Sequence, residues 1–111
     1  MPHISIEHSK KVKNEIQLAD LTRELHQSLA RQETIRIAAI KSRSIEVENL
    51  IVGDNEPKEL LHVQVQLLAG RSEELKNKMA KDLFEIIKEA TKELPCSLSV
   101  NVAELGIYCK E

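Results

Sequence analysis

Residues 60–105, LLHVQVQLLAGRSEELKNKMAKDLFEIIKEATKELPCSLSVNVAEL, carry the pattern that decides the fold. The opening LLHVQVQLLA alternates apolar and polar residues over a strand's length. Ser72 is a natural helix N-cap. Glu73 and Glu74 follow it in the first turn, where the positive end of the helix dipole favours acids. Leu75, Met79, Leu83, Ile86, Ile87, Ala90 and Leu94 then recur by threes and fours, which places them on one helical face, and Pro95 reads as the stop. CSLSVNVAEL, residues 96–105, is a second strand. A crossover this long between two strands closes a parallel pair.

The same pattern stands upstream. PHISIEHS (2–9) alternates as a strand, VKNEIQLADLTRELHQSLARQ (12–32) sets Ile16, Leu18, Leu21, Leu25 and Leu29 at helical spacing, and IRIAAIKSRSIEVENLIV (35–52) reads as a long second strand. GDNEPKE (53–59) joins the halves as a turn, with Gly53, Asp54, Asn55 and Pro57 as punctuation. The expectation is one α+β domain over 1–111 with an internal repeat of about 2–52 and about 59–105. Its two consecutive β-α-β units predict a four-stranded mixed sheet with two helices on one face. Apolar residues of both parities in the second strand, and a sheet face with no helical layer, predict burial against other copies, hence a homo-oligomer.

Composition narrows the function. The 111 residues suit one domain with a modest core. Sixteen Lys and Arg against 18 Asp and Glu leave a net charge of −2, so there is no global attraction to nucleic acid or to an anionic membrane. Tyr108 and Phe84 are the only aromatic residues, which leaves no stacking platform for single-stranded nucleic acid. No apolar run approaches the roughly 18 to 20 residues of a membrane span, and no signal-peptide core stands near the start. Cys96 and Cys109 have no metal-ligand spacing and read as reduced thiols of a cytoplasmic protein.

No phosphate-binding glycine loop, H-E-x-x-H or C-x-x-C occurs. His3 and His8 point to opposite faces of one strand, His26 is helical and His62 stands on another strand, so no zinc set is expected. No serine lies in a nucleophile elbow. Lys41 and Arg43 stand out instead. On the odd parity from Ile35 to Val47 they interrupt a stripe of Ile35, Ile37, Ala39, Ile45 and Val47. Either a bulge near residue 42 or a carboxylate such as Glu7 or Glu104 compensates them, or they form the basic wall of a pocket for a carboxylate-bearing ligand.

Pro2 admits two readings as well. A proline at a strand's start costs the ladder nothing. Initiator Met is often removed before proline, however, and Pro2 would then carry a free secondary amine. An apolar pocket and nearby cations both lower the pKa of such an amine, so it is neutral near pH 7 and serves as a base. Held beside a bound enol, it takes the enol proton and returns it to a carbon further along the conjugated system, with no cofactor and no metal. The cations hold the carboxylates and stabilise the passing negative charge.

These residues carry a family resemblance. LLHVQVQLLAGRSEELKNKMAKDLFEIIKEATKEL resembles the strand, G-R-S turn and helix of the 4-oxalocrotonate tautomerase superfamily. The succession MPHISIEHS, AAIKSRS, AGRSEE and DLFEIIK is similar to its 5-carboxymethyl-2-hydroxymuconate isomerase branch over nearly the whole chain. The resemblance implies a tautomerase-like fold assembled as a trimer. It also implies a catalytic proline at Pro2, and substrate-binding cations at Lys41, Arg43 and Arg71. Without it, Arg71 would read as a solvated arginine beside a helix. The family pattern has arginine where Lys41 stands; lysine keeps the charge and loses the bidentate fork. Leu61 takes the proline's place in the second half, so one catalytic end per chain is expected.

The function expected is a cofactor-independent tautomerase acting on a small anionic dienol carboxylate, in the first instance 5-carboxymethyl-2-hydroxymuconate in aromatic-acid catabolism. A tautomerase-like trimer using another anionic substrate, or a small-molecule-binding trimer without turnover, are the alternatives.

Overall fold

The computed structural model describes residues 2–54 and 58–111. Strand β1 (His3–His8) leads into a short helix α1 (Lys10–Glu15) and a longer α2 (Leu18–Ala30). A 3-10 turn at Ile37–Ala39 precedes β2 (Lys41–Glu46). The second half is β3 (Glu59–Leu67), α3 (Glu73–Ala90) and β4 (Cys96–Glu104). The strands form one mixed sheet in the order β2-β1-β3-β4; β1 and β2 are parallel, as are β3 and β4, and the two pairs meet antiparallel along β1 and β3.

Register makes the sheet two-faced. Ile4 pairs with Val65, Ile6 with Val63 and His8 with Leu61, so one parity lines up across the central strands and is fully buried at every aliphatic position. Leu25 and Leu29 from α2, and Met79, Leu83 and Ile87 from α3, close over this face. Removing such a side chain from water contributes about 1.5 to 3 kcal/mol. The other parity carries His3, Ser5, Glu7, His62, Gln64 and Gln66, and among the described residues it has no helical cover.

Three sequence expectations are corrected. The helix over 12–32 is broken at Ile16, whose backbone is extended (φ −128, ψ 140). Ile16 to Leu18 is a step of two, and no single helical face spans that step. The strand over 35–52 is only β2. Ala39 and Ile40 are both buried; a strand covered on one face would bury only one of two successive residues, and the 3-10 turn places them inward together. Helix α3 ends at Ala90 instead of running to Pro95; the Thr91 hydroxyl donates back to the Ile87 carbonyl at 2.8 Å, and Leu94 tucks against the core outside the helix. Its start is as expected, with the Ser72 hydroxyl oxygen accepting from the Leu75 amide at 3.1 Å.

Asn55 and Pro57 of the expected turn lie outside the described residues, as does Met1. No helix among the described residues is long and apolar enough to cross a membrane.

Candidate active site

The β1–β2 ladder builds the site. Pro2 is buried just ahead of β1, and its carbonyl accepts from the Lys41 amide at 3.0 Å. The next pairs set His3 beside Lys41 and Ser5 beside Arg43. This register runs unbroken to His8 and Glu46, so no bulge turns the cations aside. Neither expected carboxylate compensates them: Glu104 pairs with Lys76 at 3.3 Å, and no carboxylate pairs with Lys41 or Arg43 among the described residues. The stripe of odd positions is also shorter than expected. Of its members only Lys41, Arg43 and Ile45 lie on β2, and all three are exposed on the open face.

Alternation along β1 sends Pro2 to the buried side with Ile4 and Ile6. The ring therefore sits in apolar surroundings while His3, Lys41 and Arg43 stand on the opposite parity, at the rim where the sheet ends.

His3 was considered in the sequence only as a poor metal ligand, yet it occupies the centre of this rim. Arg43 Nη1 meets His3 Nδ1 at 3.1 Å, and His3 Nε2 meets the Tyr108 hydroxyl at 2.8 Å. Partial burial, followed by the charges of Arg43 and Lys41, disfavours the imidazolium and holds the His3 pKa below the ordinary histidine value. The M-P-H opening was the available signal, but the pairing of His3 with Lys41 needs the strand register. The remaining histidines stay apart, and no metal-binding cluster occurs among the described residues. His26 meets the Ser42 hydroxyl, His62 that of Ser99, and His8 the Ser9 carbonyl.

Arg71 follows β3 at the same sheet end, and its hydrogen bonds run to the segment after α2 and to Leu68. Its Nε donates to Thr34 Oγ1 at 2.9 Å, Nη2 to the Thr34 carbonyl at 3.2 Å and Nη1 to the Leu68 carbonyl at 3.2 Å. It clamps the segment after α2, where Thr34 is left-handed (φ 70). Three of five N–H donors are thus engaged, and two are open among the described residues. Within one chain, then, the structure sets Lys41 and Arg43 side by side on the open face, joins Pro2 to Lys41 through the backbone from the buried parity, and bonds Arg71 to Thr34 and Leu68. A broad hollow elsewhere, lined by Glu33, Ser72, Lys78 and Asp82, contains none of the four.

Residues 2–106 match the protein-family model CHMI, 5-carboxymethyl-2-hydroxymuconate isomerase. The chain belongs to this family. It is accordingly an isomerase. Comparison with curated protein sequences finds no match. Among solved structures, a 5-carboxymethyl-2-hydroxymuconate isomerase from Deinococcus radiodurans R1 superposes with a TM-score of 0.87 at 24% identity, over 98% of this chain and 88% of that one. A 5-carboxymethyl-2-hydroxymuconate delta-isomerase gives 0.86 at 11% identity, over 100% and 87%. The W0 fused 4-OT wild-type symmetric trimer gives 0.76 at 13% identity, over 93% and 86%. These likenesses establish the tautomerase fold. Two adjacent cations without a carboxylate partner among the described residues can attract an anion.

Proposed function

We propose that the protein moves a proton along a dienol carboxylate, with 5-carboxymethyl-2-hydroxymuconate as substrate, and that Pro2 is the general base once Met1 is removed. The observation that carries this reading is the family match over residues 2–106 together with the Pro2–Lys41 backbone bond, which sets the proline at the edge of the cation wall. Buried, apolar surroundings disfavour an ammonium at Pro2, so its amine is neutral and basic. The amine accepts the proton of the enol hydroxyl as the C–O bond becomes a carbonyl, and returns it to the far carbon of the diene. The product is the 2-oxo-3-ene isomer. Atoms balance with no second reactant. Arg43 grips one carboxylate as a fork and Lys41 contributes a point charge. Arg71 reaches the second carboxylate through the N–H donors that Thr34 and Leu68 leave open.

One chain supplies a wall and not an enclosed pocket, and its open sheet face exposes Ile45 to 47%. A homotrimer closes both, in keeping with the symmetric trimers named among the solved 4-OT relatives. The setting proposed is aromatic-acid catabolism in the cytoplasm. Lys41 in place of the family's arginine favours a second reading, in which the same base serves another anionic enol.

Intact mass and an ultraviolet assay of dienol isomerisation on one sample test the proposal. Loss of Met1 with fast conversion is the expected result. Loss of Met1 with no conversion of any dienol dicarboxylate would overturn it, and conversion of a different enol only would select the second reading. With Met1 attached, the Pro2 nitrogen is an amide and has no basicity, so adding a residue ahead of Pro2 should abolish turnover.

A further inference from the structure

We infer that the Tyr108 hydroxyl is a further donor to an anionic oxygen of the substrate, and that His3 is the positioning residue that holds Tyr108 and Arg43 in one hydrogen-bonded line. The inference rests on the proposed function for the identity of the oxygen, a carboxylate or enolate. It rests on hydrogen-bond chemistry for the direction of the line.

A guanidinium has N–H donors and no acceptor, so at the 3.1 Å contact with Arg43 Nη1 the His3 Nδ1 must be unprotonated. The neutral ring then carries its proton on Nε2. That N–H donates to Tyr108 Oη at 2.8 Å. With its oxygen accepting from His3, the phenol has one proton left to give, and no acceptor for it is present among the described residues. The line therefore runs from Arg43 through His3 to Tyr108 and ends on an outward O–H. The rings of His3 and Tyr108 meet edge to face, 5.7 Å between centroids and 80° between planes, which fixes the phenol's aim.

The fold brings Tyr108 here from 105 residues away. The segment after β4 is tied to the end of β3 by the Leu105 amide, which donates to the Leu67 carbonyl, and it then crosses to the start of β1. The neighbours are Lys41, paired with His3, and Arg43, both without a carboxylate partner among the described residues. An O–H donor beside two such cations suits an anionic oxygen. In an isomerase, the Tyr108 donor adds a neutral contact that distinguishes a correctly seated oxygen from a merely attracted one.

The test uses the processed full-length protein and its Tyr108→Phe and His3→Gln variants. Titration calorimetry with adipate, a saturated dicarboxylate, reads binding without turnover. Long-range proton–nitrogen spectra read which His3 nitrogen is protonated. Tyr108→Phe should bind adipate about tenfold more weakly, the effect of one hydrogen bond to a charged group. It should raise KM by a similar factor with little change in kcat, and leave the His3 proton on Nε2. His3→Gln, which keeps one acceptor and one donor, should retain most of the affinity. Unchanged adipate binding in Tyr108→Phe, absence of binding in the parent, or a His3 proton on Nδ1 would each overturn the inference. A parent that binds adipate but converts no dienol would overturn the proposed reaction and leave this site standing.

Discussion

Arg43 and His3, forty residues apart in the chain, meet across the β1–β2 ladder at 3.1 Å, with the guanidinium as donor and the imidazole as acceptor. Parallel pairing of Ser5 with Arg43 and of His3 with Lys41 makes the contact possible, because neighbouring positions of one parity share a face. The consequence is electrostatic. A histidine that accepts from arginine is neutral, and everything that keeps it neutral also keeps the cation wall in place.

Stability should therefore depend on pH through His3. Its folded pKa lies below the unfolded value of 6.5, so between the two the unfolded chain binds more protons than the folded one. This contribution is fully present above 6.5 and is lost as pH falls through the window beneath it. The midpoint of thermal unfolding should decline as the buffer is taken from neutral into that window, and the decline should be shallower in His3→Gln. Equal slopes in the two proteins would assign the effect to another group.

The cation wall makes a kinetic prediction. Arg43→Ala removes a charge-assisted fork and should raise KM by about 10- to 100-fold, following roughly 1.5 to 3 kcal/mol for a hydrogen bond to a charged group. Lys41→Arg supplies the bidentate fork that the family resemblance implies at this position and should improve kcat/KM on a dienol dicarboxylate several-fold. If Lys41→Arg instead lowers kcat/KM on that substrate while improving none, the wall is shaped for a compact ammonium and a different anion. Steady-state kinetics over a short panel of enol acids decides between these.

Arg71 should respond differently because it already has work in the fold. Thr34 is β-branched and left-handed, a conformation that costs on the order of 1 to 3 kcal/mol and persists only where its neighbours impose it. Arg71 imposes it through two bonds to Thr34 and a third to Leu68. Arg71→Ala should thus lower stability by about 1 kcal/mol, the net value of ordinary hydrogen bonds at a half-exposed site, and also raise KM. Thr34→Asn, which tolerates this backbone, should be neutral or stabilising by up to about 1 kcal/mol. Denaturant unfolding measured beside KM separates the two roles: a loss of stability with unchanged KM would remove Arg71 from substrate binding.

Much of this was legible in the letters. Ser72 with Glu73 and Glu74, and the series Leu75, Met79, Leu83, Ile87, announced α3 because capping and periodicity are local. The alternation of LLHVQVQL gave β3 for the same reason. The segment 35–40 misled because a run of apolar residues at both parities satisfies a strand buried on two sides as well as a turn packed on a core. Only tertiary packing distinguishes them, through the joint burial of Ala39 and Ile40. Pro2, Lys41 and Arg43 are candidates by residue type and order, whereas the contacts of His3 and Tyr108 depend on strand register and on the path of the chain after β4. No sequence spacing encodes a contact across 105 residues.

The open sheet face supplies the last prediction. Ile45 stands on β2 in line with Lys41 and Arg43, 47% exposed in the single chain, and its lateral partner Glu7 is exposed as well. An aliphatic side chain at such a place is tolerable in a monomer but becomes costly to replace once other copies cover it. Ile45→Glu would set a second carboxylate beside Glu7 on the face that the proposed trimer covers, and like charges placed opposite each other on a sheet repel. Sedimentation velocity should show the parent as a trimer and Ile45→Glu shifted toward monomer, with far-ultraviolet circular dichroism unchanged because the core on the other face is untouched. Turnover should fall with the assembly and recover partly at high protein concentration, since association follows mass action. A parent that sediments as a monomer while isomerising at full rate would place the whole site within one chain.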